Sequence, residues 1–122
     1  MKIRIRGNTI RYRLTRPEVE QFKMEGVITE QTDFGNKKLT YILRSGDHPE
    51  LAATFDHDII TLFMPQQMAT EWTDTDRVGF ENGHGQLMLY VEKDFKCLDN
   101  VDEDQSDNYP NPLAAHSHEH ED

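Results

Sequence analysis

With 122 residues the chain has room for one modest core, and a formal net charge of −10 argues against wholesale attraction to nucleic acid or an anionic membrane. Its one cysteine, Cys97, excludes an internal disulfide, and no run approaches the ~20 apolar residues that span a bilayer. The opening Met1-Lys2-Ile3-Arg4-Ile5-Arg6-Gly7 lacks the apolar stretch of a signal peptide, so a cytoplasmic protein is expected.

The charge is unevenly spread. The first sixteen residues hold six basic groups (Lys2, Arg4, Arg6, Arg11, Arg13 and Arg16) and no acidic one. The last twenty-four hold eight acidic groups and neither Lys nor Arg, so residues 1–98 are left close to neutral. Residues 2–6 alternate strictly, with Lys2, Arg4 and Arg6 against Ile3 and Ile5. Residues 10–14 resume the pattern, with Arg11 and Arg13 against Ile10, Tyr12 and Leu14. Side chains alternate faces along a strand, so this is a half-buried strand with a cationic outer face. Gly7-Asn8 makes it either a hairpin or one long bent strand.

Thr15-Arg16-Pro17-Glu18 has the form of a capping box with proline in the first turn, and Gly26 supplies a stop. The spacing predicts a helix over 16–25, with Val19 and Phe22 on its apolar side and Met24 less well phased. A period of two then returns. Strands are predicted at 27–34, 38–44, 51–56, 59–64, 78–81 and 86–92, separated by Gly- and Asp-rich turns. Pro65 opens a second short helix, Gln66 to Trp72, with Met68 and Trp72 placed to dock on the sheet. No internal repeat of solenoid length is found. The expected fold is α+β: one mostly antiparallel sheet or small barrel of six to seven short strands, with two short helices. Residues 1–98 would form the single domain and 99–122 an irregular acidic tail.

Arginine binds phosphate or carboxylate through its planar fork, so Lys2, Arg4, Arg6, Arg11 and Arg13 form a candidate anion-binding strip. The plainer alternative is a solvated sheet face whose charges pair across strands and deter edge aggregation. The near-neutral body argues against nucleic acid as partner. In the tail, Asp102, Glu103, Asp104 and Asp107 precede Tyr109-Pro110. This segment either folds back over the basic strand, with Tyr109 as an apolar anchor, or stays solvated. It lacks the offsets of an EF-hand. His116, His118 and His120 would share one side of an extended chain and are weak metal candidates, with no second shell to fix them. Cys97, between Phe95 and Leu98, reads as a small buried hydrophobe rather than a nucleophile.

The opening Lys2-Ile3-Arg4-Ile5-Arg6-Gly7-Asn8-Thr9-Ile10-Arg11, with Val91 to Leu98 and Tyr109-Pro110-Asn111-Pro112, resembles a family of small uncharacterised bacterial proteins. That likeness covers nearly the whole chain and implies no activity. A second likeness is to the CYTH triphosphate-tunnel barrels, whose Glu-x-Glu-x-Lys strand corresponds here to Lys2-x-Arg4-x-Arg6. The metal-binding carboxylates of that motif are missing.

The leading expectation is therefore a non-enzymatic binding module without cofactor. Its arginine strand would contact an anionic ligand or protein, or its own acidic tail. The alternative is a small enzyme acting on phosphorylated or carboxylated substrates, a degenerate CYTH-like phosphohydrolase. No membrane partner is expected, and self-association stays open.

Overall fold

A computed structural model describes residues 1–95 and 109. Eight strands and two helices follow in the order β1 (Lys2–Arg6), β2 (Thr9–Leu14), α1 (Arg16–Glu25), β3 (Val27–Asp33), β4 (Lys38–Gly46), β5 (Ala52–Asp56), β6 (Ile59–Pro65), α2 (Gln66–Asp74), β7 (Gly79–His84) and β8 (Leu87–Lys93). The first helix has the bounds its sequence signals set. Glu18 accepts from the Thr15 amide, and Gly26 stops the helix in the left-handed region (φ 74°), where glycine has no Cβ to clash. Gly7 (φ 55°) turns β1 back on β2, so the basic segment is a hairpin, with Lys2 opposite Arg13, Arg4 opposite Arg11 and Arg6 opposite Thr9.

The strands form two four-stranded sheets, ordered β1-β2-β8-β7 and β3-β4-β6-β5. This corrects the expectation of one mostly antiparallel sheet or barrel with six to seven strands. Each sheet is mixed, because β2 runs parallel to β8 and β4 parallel to β6, and the sheets do not close into a barrel. The reason is a swap. Alternation reveals which face a side chain takes but not which strand lies beside it, and here each hairpin pairs with one from the other half of the chain.

That swap exposes a twofold repeat. Each half reads hairpin, helix, hairpin. Ile42 stands opposite Thr61 as Tyr90 stands opposite Arg11, and Leu43 opposite Leu62 as Val91 opposite Tyr12. Main-chain bonds repeat too. Thr40 N donates to Asp58 O as Met88 N does to Asn8 O, and Ser45 N donates to Gly26 O as Lys93 N does to Val78 O.

Inward residues of both sheets meet in one core. Tyr12 and Tyr41 touch edge to face across the sheets at 6.2 Å, and the Tyr12 hydroxyl donates to Ile60 O at 3.2 Å. Burial pushes the Tyr12 phenol pKa far above its ordinary value. The helices pack on each other beside the ends of β2 and β6. Their matching residues Phe22 and Trp72 meet edge to face at 6.0 Å, and Val19 and Ala69 are buried beside them. On α2 it is Ala69 and Trp72 that are buried, while Met68 packs only half-buried against the core. Among the described residues, no helix is long and apolar enough to cross a membrane.

Candidate anion site

Among the described residues, no helix packs over the outer face of the β1-β2-β8-β7 sheet. Because cross-strand partners share a face, this side carries Lys2, Arg4 and Arg6 on β1, Thr9, Arg11 and Arg13 on β2, and Tyr90 and Glu92 on β8. Arg4, Arg6, Thr9, Arg11, Arg13 and Tyr90 line one depression of about 320 Å³.

The floor of this depression is braced. Glu92 accepts from Arg11 Nη1 with one carboxylate oxygen and from Arg13 Nε with the other, the latter at 3.3 Å. The Arg11 guanidinium also lies over the Tyr90 ring, 4.1 Å from its centroid. One carboxylate thus orients two guanidiniums and offsets part of their repulsion. Arg6, at the turn end of the strip, makes no ion pair among the described residues. Sequence reasoning grouped the five cations but missed Tyr90 and Glu92. The alternation of Met88, Tyr90 and Glu92 against Leu87, Leu89 and Val91 marks an outer face, yet only the parallel ladder brings it beside the arginines.

Lys2 sits at the other end of the strip, its Nζ 3.1 Å from Asp94 Oδ2. Asp94 is only 5% exposed, and that oxygen accepts no hydrogen bond, so the ammonium is close but off-line. The Asp94 carbonyl accepts from Tyr109 N at 2.8 Å, and Tyr109 forms a parallel bridge with Phe95. The Tyr109 ring packs on Phe95 at 5.7 Å, with the Arg16 guanidinium at 5.5 Å and the Lys93 ammonium at 5.3 Å. Tyr109 therefore anchors beside the Lys2 end rather than over the arginines. Burial raises its phenol pKa against the pull of Arg16. Burial also lowers the pKa of Lys93, opposed by Asp76, while Lys93 Nζ donates to Thr75 O at 2.9 Å.

The other tail candidates, Asp102, Glu103, Asp104, Asp107, His116, His118 and His120, lie outside the described residues, as does Cys97. Among the described residues no group of three His, Cys, Asp or Glu side chains is placed to hold a metal ion.

Comparison with known proteins gives a family and nothing finer. No curated protein and no solved structure matches the chain. The CYTH likeness and a bacterial source find no support there. The sequence pattern described as "Family of unknown function (DUF7009)" matches residues 1–113, and the chain belongs to that family.

Proposed function

We propose that this protein is a non-enzymatic binding module whose outer β1–β2 face takes an anionic partner. One observation carries the reading: Arg4, Arg6, Arg11 and Arg13 converge on one depression. Guanidiniums held in fixed orientation lose less freedom on binding a phosphate or carboxylate, and Glu92 supplies that orientation. Glu92 is itself bonded to two arginines, which favours binding over acid–base chemistry at this face. The acidic tail is the internal competitor, tethered by Tyr109 near the Lys2 end.

Titration of the full chain with inorganic polyphosphate tests this. Arg4→Ala with Arg6→Ala should weaken binding at least about tenfold, and raised salt should weaken it further. Neutralising Asp102, Glu103, Asp104 and Asp107 to their amides should strengthen it. Affinity that ignores the arginine substitutions would sink the proposal.

A further inference from the structure

The twofold repeat matches two sheet edges, β5 and β1. Among the described residues a side chain bonds the outward amide within β5, at Ala53, while none bonds its counterpart within β1, at Ile3. At β5 the Asn82 amide accepts from Leu51 N at 2.9 Å and donates to Leu51 O at 3.0 Å, and His84 Nδ1 accepts from Ala53 N at 3.2 Å. Side chains of β7 thus satisfy the main chain of that edge. At β1 the residue matching Asn82 is Glu30, which accepts from Met1 N at 3.1 Å as Asn82 does from the matching Leu51 N. The residue matching His84 is Thr32, which is exposed. On the side away from β2, no described residue bonds the main chain of Ile3 or Ile5.

The hairpin register says which groups face that edge. Residues flanking a two-residue turn exchange both main-chain bonds, and the pattern alternates from there. Arg6, Arg4 and Lys2 therefore point their amides and carbonyls to β2, and Ile5 and Ile3 point theirs outward. The matching residue in the other half agrees, since the Ala53 amide does point to its edge.

We infer that the β1 edge takes an extended peptide in which acidic and apolar residues alternate. Added as a further strand, it would lay its acidic side chains on the outer face beside Lys2, Arg4 and Arg6. Strand neighbours and the charges both repeat every ~7 Å along the chain. Its apolar side chains would fall on the inner side, beside Ile5, which is 57% exposed. A second copy of β1 is a poor occupant. It would set Lys2, Arg4 and Arg6 against the same cations, and like charges on facing strands repel. The inference rests on the anion-surface reading and adds main-chain recognition to it.

A peptide alternating glutamate with valine, long enough to span β1, provides the probe, read by fluorescence anisotropy against the full chain. It is made with N-methyl groups on alternate amides in either of two frames, and as a block peptide of the same composition. Methylation in the frame facing β1 should cost at least about tenfold in affinity while the other frame is tolerated, and the block peptide should bind at least about tenfold more weakly. Equal binding of both methylated peptides, or of the block peptide, overturns the edge inference. Polyphosphate binding sensitive to Arg4→Ala with Arg6→Ala would still stand in that case. Loss of that sensitivity would overturn both.

Discussion

Where the β1–β2 hairpin sets Arg4, Arg6, Arg11 and Arg13 on its outer face, the matching positions of β5–β6 hold Thr54, Asp56, Thr61 and Phe63. The inward positions tell the opposite story. Ile10 matches Ile60, Tyr12 matches Leu62, Leu14 matches Met64 and, on the helices, Phe22 matches Trp72, all apolar in both halves. Packing constrains the inward set, because each residue fills space against the other sheet. Nothing in the core requires an outward arginine, since the second hairpin has the same backbone without one. The cations therefore answer to what lies outside the sheet, a partner or the need to guard an edge.

The inward equivalence breaks most visibly at the helix pair. Phe22→Ala and Trp72→Ala should each cost about 3–5 kcal/mol, because both rings are fully buried and leave a cavity. Urea midpoints should fall by similar amounts for the two. A difference above about 2 kcal/mol would mean that the halves share topology without sharing the load. Next comes the capped edge. Asn82→Ala leaves the Leu51 amide and carbonyl without protein partners and should cost about 1–3 kcal/mol, with faster amide exchange confined to β5 and β7. Thr32→Ala, at the position matching His84 on the β1 side, should change the midpoint by less than about 0.5 kcal/mol.

What was legible in the sequence follows the range of each signal. The first helix could be read to the residue because Thr15, Pro17, Glu18 and Gly26 act within one turn of its ends. The turn at His57-Asp58 was legible for the same reason, whereas Gly7-Asn8 fitted a hairpin and one bent strand alike. The parallel ladders were not, since β2 finds β8 from the far end of the chain and no local pattern encodes that choice. The repeat is hard to see in the sequence because the halves keep only their inward apolar pattern: between β1–β2 and β5–β6 only Ile10 and Ile60 are the same residue. At the site, period-two alternation placed the arginines together. The Glu92 brace needed the sheet order.

Tyr12 sharpens the comparison inside the core, because its partner position, Leu62, has no hydroxyl. Tyr12→Phe should cost about 1 kcal/mol near neutral pH, through the lost bond to Ile60 O. The pH dependence adds a sign. Burial raises the folded phenol pKa above its ordinary value of 10.0, so the folded state holds a proton that the unfolded state releases. That contribution is whole below pH 10 and is lost as pH rises beyond it. Urea midpoints measured across this range should fall less steeply for Tyr12→Phe than for the parent. Parallel slopes would place the alkaline loss elsewhere, for example at Tyr109.

The smallest change in stability should accompany the largest change in surface. Thr54 and Thr61 face each other across β5 and β6 as Arg4 and Arg11 do across β1 and β2. Arginines placed there alone would confront Arg44, which occupies the position of Glu92. The triple substitution Thr54→Arg, Thr61→Arg and Arg44→Glu puts the counterparts of Arg4, Arg11 and Glu92 on the second sheet, while Asp56 and Phe63 keep the positions of Arg6 and Arg13. All three lie on an outer face, so the unfolding midpoint should move by no more than about 0.5 kcal/mol per site. The polyphosphate stoichiometry should rise from one site to two. An unchanged stoichiometry would place the specificity in what the graft leaves out: Arg6, Arg13, Tyr90 and the β1 edge.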